Sequence, residues 1–447
     1  MTTPDVDMDT DRAQSDPLLA ALERVDSVRR VGRVTEAYGT LIRATGIAAR
    51  IGETCELRHP ATGDSLLAEV VGVSDRHTLL TPLGGIQGLS ADMEVLSRGE
   101  RSQVPAGEAL LGRVLAADGS PMDGKPAPQG CSRVPLYAEA PNPLHRAPVD
   151  RVLPTGIRSI DATVTVGSGQ RLGMFAAAGG GKSTLLGMLA RGTQADCNVI
   201  VLVGERGREV REFIQDNLGA EGLARSVVVV ATSDRPAMER ARAALVGTAI
   251  AEHFRDLGRD VVLMMDSVTR YARALREMGL AVGEPPARRG YPPSVFSTLP
   301  QLFERAGNNA HGSITGFYTV LLEDEDTAND PIGEEVRSIL DGHIVLSRRL
   351  AEEAHYPAID VLASTSRVMP RVASTEHQEA AQQLRRDLAK YREIELLIQV
   401  GEYQHGSDPA ADRAVARIDN IRSLLKQGTD ELTSFASTMN GLQEVVA

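Results

Sequence analysis

Residues 171–191, RLGMFAAAGGGKSTLLGMLAR, put an apolar run, a glycine loop and a second apolar run at helical spacing in direct succession. That order predicts a strand entering a loop and a helix leaving it, a unit found where a parallel sheet is covered by helices. Strand, loop and helix N-terminus together make an anion cradle, because backbone N–H groups and the helix dipole both point at the ligand. Gly179, Gly180 and Gly181 let the main chain approach closely, Lys182 is placed to bridge the outer phosphates, and Ser183 to ligate Mg²⁺. The candidate nucleotide-binding stretch runs from Ala178 to Thr184. It departs from the G-x-x-x-x-G-K-[ST] pattern at one position, Ala176, where alanine fits if the backbone keeps φ negative.

Two further strands point at the same chemistry. The apolar run VVLMMD ends in Asp266, which puts a carboxylate at the carboxyl edge of the sheet, beside the glycine loop, to hold magnesium. Asp266 would equally cap the helix that follows. VIVLVGERGREV places Glu205 just past another buried strand, followed by Arg206 and Glu209. A carboxylate near the γ-phosphate can orient and partly deprotonate the attacking water, which separates a hydrolase from a protein that only holds nucleotide. Composition alone would make this a charged surface loop.

Around this centre the chain divides into segments. PLLAALERVDSVRR spaces Leu18, Leu19, Leu22 and Val25 as a short amphipathic helix, so residues 1–30 form a leading segment that packs on its own domain or docks to a partner. Short β-type runs with turn signals about every ten residues predict a small β-barrel over 31–100. LGRVLAADGSPMDGKPAP reads as a hairpin with a glycine turn, and a proline-rich connector follows. Apolar runs alternating with helices over 101–375 predict an α/β core with a mostly parallel sheet, and charged helical sequence follows over 376–447.

The charge balance narrows the partners. Against 48 basic residues stand 60 acidic ones, a net charge of −12, which argues against a nucleic-acid surface. The three cysteines, Cys55, Cys131 and Cys197, lack metal or redox spacing and read as core thiols of a reducing compartment. The acidic N-terminus is not a secretory signal, and no apolar run reaches the roughly 20 residues of a membrane helix.

TGIRSIDATVTVGSGQR, GGGKST, GERGREVREF, MDSVTRYA, GEPPARRGYPPSVFSTLPQLFERAG, SILDGHIVLSRRLA and HYPAIDVLASTSRVMP together resemble the rotary-type hexameric ATPases related to the catalytic subunits of F- and V-type ATP synthases. The tail GEYQHGSDPAADRAVARIDNIRSLLKQGTDEL and the triple-glycine loop resemble most the ATPases of type III secretion injectisomes, with flagellar export ATPases next. The resemblance implies an N-terminal β-barrel, a RecA-like P-loop core and a C-terminal helical domain. It implies ATP and Mg²⁺ as ligands, with Ser183 and Asp266 holding the metal. Glu205 matches the catalytic carboxylate, where a non-catalytic subunit would carry glutamine; Arg206 matches a γ-phosphate contact. Arg367, in STSRV, matches the arginine finger that enters a neighbour's site, and Tyr356 the aromatic that stacks on adenine. The implied assembly is a homohexamer, with a central stalk protein, a stator-like negative regulator at the N-terminal segment, the export apparatus and chaperone–effector complexes as partners. The implied location is the cytoplasmic face of the inner membrane, reached through those partners. A synthase subunit, a nucleic-acid translocase and a ring subunit that holds nucleotide without hydrolysing it are the rival readings.

Overall fold

The computed structural model describes residues 30–177, 179–322 and 330–447. The leading amphipathic segment, Ala178 and all but the last residue of the acidic run 323–330 lie outside the described residues.

The described residues up to Pro82, with Ile86–Glu100, form one compact unit, and Leu83–Gly85 with Arg101–Ala447 form another. The first is a closed antiparallel barrel of β1 (Val31–Tyr38), β2 (Leu41–Thr45), β3 (Glu53–Arg58), β4 (Ser65–Val73), β5 (Thr78–Pro82) and β6 (Glu94–Arg101), in the order β1-β2-β5-β4-β3-β6. Alternate residues fill it: Val34, Ile42, Ala44, Cys55, Leu57, Leu80 and Val95 are all buried. Closure leaves no unpaired edge.

The second unit is built on a nine-stranded sheet. Its strands are β8 (Arg113–Ala116), β10 (Arg171–Ala176), β11 (Cys197–Glu205), β12 (Ser226–Thr232), β13 (Asp260–Asp266), β14 (Gly307–Asn308), β15 (Ser313–Leu321), β16 (Gly342–Leu346) and β17 (Thr365–Ser366). They run in the order β17-β16-β10-β15-β13-β11-β12-β8, with β14 on β15, and every pair but β16–β17 and β14–β15 is parallel. A separate two-stranded ribbon joins β7 (Gln103–Ala106) to β9 (Ser132–Pro135).

Both faces of the sheet are buried, which is why its strands read as unbroken apolar runs. Along β11, Val199, Val201 and Val203 enter one core while Ile200 and Leu202 enter the other. β13 divides likewise, Val261, Leu263 and Met265 against Val262 and Met264. Helices α3 (Ala237–Asp256), α4 (Val268–Ala281) and α5 (Pro293–Glu304) supply the first core, and α1 (Arg158–Thr163) and α2 (Lys182–Gly192) contribute to the second. After α6 (Pro331–Ile339) and β16–β17, the chain ends in α7 (Thr375–Gln399), α8 (Pro409–Leu425) and α9 (Phe435–Val446), whose Leu384, Ile421, Leu425 and Leu442 pack with Ala162 of α1.

The anticipated hairpin forms, with Gly119 at φ +84° in its turn, Met122 N–H donating to Val114 O at 2.8 Å and Leu115 bridging Pro121 antiparallel. Its first arm is also β8, the edge strand of the central sheet, parallel to β12, a pairing that the sequence did not reveal. Leu115 is fully buried there.

Candidate active site

β10 delivers the chain to the glycine loop at the carboxyl edge of the sheet. Ala176 is the last residue of that strand, 1% exposed and paired with Leu321 and Leu346. Among the described non-glycine residues only Arg289 and Ala354 have positive φ, so an alanine at 176 meets no backbone conflict. Positive φ is needed further on, at Gly179 (+85°) and Gly181 (+76°). Gly181 is the N-cap of α2, and no side chain caps that helix, which leaves its first-turn N–H groups available to an anion.

From this helix Lys182 reaches back across the sheet edge. Its Nζ donates to Asp266 Oδ1 at 2.6 Å and to Glu205 Oε1 at 3.5 Å. The two carboxylates are 3% and 5% exposed, at the ends of neighbouring strands β13 and β11. Asp266 sits there by register alone, continuing the face of Val262 and Met264. Glu205 depends on a bulge: the β11–β12 register shifts between Val203 and Glu205, with Gly204 at φ +69° between them.

Arg270, in the first turn of α4, locks this bulge. It donates to the Gly204 carbonyl and lies 3.3 Å from Glu205 Oε2. A side chain at 204 would press on Arg270, with a Cβ only 3.1 Å from its Cδ. Thr319 of β15 completes the cluster by donating to Asp266 Oδ1 at 2.7 Å. Burial, together with the negative Asp266, pushes the Glu205 carboxyl up to about 7 against the opposing pull of Lys182 and Arg270. A carboxyl in that range can exchange a proton with water near neutrality.

Neither Arg270 nor Thr319 was singled out from sequence. The signal for Arg270 was present: a cation in the first turn of a helix opposes the helix dipole and needs a carboxylate to hold it. Thr319 offers none, since a threonine in a strand is ordinary.

The other candidates lie outside the cluster. Ser183 is exposed on the first turn of α2, and Thr184 is half-buried beside it. Arg206 opens the following helix and pairs with Glu209 at 2.9 Å, largely in solvent. Tyr356 is no core tyrosine: it is 47% exposed, and its ring lies 3.9 Å from where a Cβ on Gly181 would stand. Its hydroxyl donates to Ala351 O at 3.2 Å.

Arg367 is at the far end of the sheet. From Tyr356 the chain runs back along β16 through β17, and Arg367 N–H donates to the carbonyl of Asp341, the residue before β16. Five residues of β16 separate this amino edge from the carboxyl edge, roughly 16 Å of strand. The exposed Arg367 guanidinium bonds the carbonyl of Arg337 at 3.3 Å.

Residues 156–366 match the nucleotide-binding domain of the ATP synthase alpha/beta family, residues 34–99 its beta-barrel domain, and residues 373–444 the T3SS EscN ATPase C-terminal domain. A type 3 secretion system ATPase of Xanthomonas euvesicatoria is 58% identical over 93% of this chain and 94% of its own length. A flagellum-specific ATP synthase of Bacillus subtilis is 49% identical over 93% of this chain and 94% of its own. Among solved structures, the assembled ATPase EscN of the enteropathogenic E. coli type III secretion system superposes with a TM-score of 0.87, at 48% identity over 93% of this chain and all of that one. EscN has also been solved in complex with its central stalk EscO. With identity this high over nearly the full length, on a fold carrying the lysine and both carboxylates, the chain belongs to the type 3 secretion system ATPases of the ATP synthase alpha/beta family.

Proposed function

We propose that this ATPase works as a homohexamer whose sites are shared between neighbours, one protomer supplying Lys182, Ser183, Glu205 and Asp266 and the next supplying Arg367. The observation that carries this reading is the separation of the two groups by the length of the sheet, with Arg367 exposed at the edge its own site does not occupy.

The glycine loop and the uncapped start of α2 bind the phosphates, and Tyr356 stacks on the base, a role supported by its exposed ring beside Gly181. Lys182 leaves Asp266 to lie along the outer phosphates. Glu205 orients a water for in-line attack on the γ-phosphorus and takes its proton as the new P–O bond forms and the bond to the ADP oxygen breaks. Arg270 keeps Glu205 aimed. Arg206, paired with Glu209 and largely in solvent, turns to contact the γ-phosphate, and Arg367 of the next protomer stabilises charge on the transferring group.

The residues present fit a magnesium ion. Both donors to Asp266 fall on Oδ1, so Oδ2 is left without a donor among the described residues, and Ser183 is exposed on the first turn of α2, where the glycine loop ends. Magnesium bound there with ATP would neutralise β- and γ-phosphate charge.

By likeness to EscN, solved with its central stalk EscO, the ring would act around a central stalk. The family resemblance of the sequence extends the proposal to hydrolysis that releases chaperones and unfolds export substrates at the base of a secretion machine. The regulator and export-apparatus partners, and the location at the inner membrane, belong to the same reading. Steady-state ATP hydrolysis measured against protein concentration, with light scattering for mass, tests the shared site. Activity per chain should rise as rings form. Constant activity per chain from monomer to ring would overturn it.

A further inference from the structure

We infer that Thr319 is a positioning residue for Asp266, holding its carboxylate in place when Lys182 turns to the nucleotide. The inference rests on the reading of Asp266 as the metal-side carboxylate. β15 lies between β10, which enters the glycine loop, and β13, which ends in Asp266. Thr319 pairs with Met174 on one side, and its neighbour Tyr318 pairs with Met265 on the other. That register sets the Thr319 hydroxyl, fully buried, 2.7 Å from Asp266 Oδ1 and 3.2 Å from the Met265 carbonyl. It has one proton for two acceptors, and the nearer is the charged one, where a hydrogen bond is worth more.

Lys182 shares that same oxygen. Binding ATP draws Lys182 away, and a buried carboxylate that loses the one cationic donor it has among the described residues would turn to find another partner. Thr319 is the donor that remains. It keeps Oδ1 engaged and so keeps Oδ2 toward the loop, as a hydrogen-bonded partner behind a metal ligand fixes its orientation. Packing alone would be served equally by valine, which has the same shape and lacks the hydroxyl.

The test uses Thr319→Val and Thr319→Ser, with Asp266→Asn in parallel, in the full-length protein. The affinity of N-methylanthraniloyl-ATP is measured by fluorescence with and without Mg²⁺, so that the reading does not depend on turnover. Thr319→Val should lose about 10-fold of the affinity that magnesium adds, leaving metal-free binding unchanged. Thr319→Ser should keep it. If Thr319→Val retains the magnesium-dependent gain, or Thr319→Ser loses as much as Thr319→Val, or metal-free binding falls equally, the role is refuted. Should Thr319→Val fail to fold, Thr319→Ser decides, because a folded serine variant without the gain contradicts the claim. Asp266→Asn separates the two layers: if it keeps the gain, the reading of Asp266 fails; if it alone loses the gain, only the role of Thr319 fails.

Discussion

The two ends of the central sheet are finished in opposite ways. At the carboxyl end, Lys182, Glu205, Asp266, Arg270 and Thr319 are interlocked, with both carboxylates nearly out of solvent. At the amino end, Arg367 lies exposed, its guanidinium bonded to one backbone carbonyl. Groups that bind and activate must be held precisely and away from competing water, so burial suits them. A group meant for another molecule's site must stay at the surface. The contrast therefore separates what one protomer does alone from what it lends.

Arg367→Ala is the largest test of that division. Turnover should fall by about 10³–10⁵, the range for removing an arginine finger, with melting temperature and nucleotide affinity unchanged. A loss of affinity or stability in step with turnover would place Arg367 in its own chain's fold or site and dissolve the contrast.

Glu205→Gln, nearly isosteric, should cost about 10²–10⁴ in turnover while ATP still binds. The pH profile sharpens it. Glu205 acts only when ionised, and its carboxyl is raised to about 7, so kcat/KM of the free enzyme should climb with pH and level off above about 7. The sign for stability is opposite. The folded chain holds this proton more tightly than the unfolded one, so the Glu205 contribution weakens as pH rises from the ordinary carboxyl range through about 7.

The smallest effect belongs to Ala176→Gly, which restores the usual first glycine of the loop pattern. Because Ala176 is a buried strand residue, the change should lower stability by about 0.5–1 kcal/mol, read by denaturant unfolding, without improving nucleotide affinity. A gain in affinity would mean that the loop proper begins earlier than β10 implies.

Much of this was legible in the chain. The fully buried strands could be read because each is an unbroken apolar run, Asp266 because it ends such a run, and Lys182 because it follows the glycine loop at the start of a helix. β8 was not, since four residues amid glycines and prolines carry too little pattern to separate a sheet edge from a hairpin arm. The position of Glu205 was legible but its aim was not, because alternation along β11 is broken at Gly204 and the shift that follows exists only against β12. Thr319 was invisible for a different reason: its partner is 53 residues away in sequence and adjacent only across the sheet.

The most direct test mixes two inactive proteins. Glu205→Gln and Arg367→Ala chains are combined under conditions that form mixed rings, and ATP turnover is compared with that of each variant alone. If the site is shared, an Arg367→Ala protomer keeps an intact Glu205 and can be completed by the Arg367 of a Glu205→Gln neighbour, so activity should return. If mixed rings form and remain as inactive as their parents, Arg367 does not act across the interface and the shared site is contradicted.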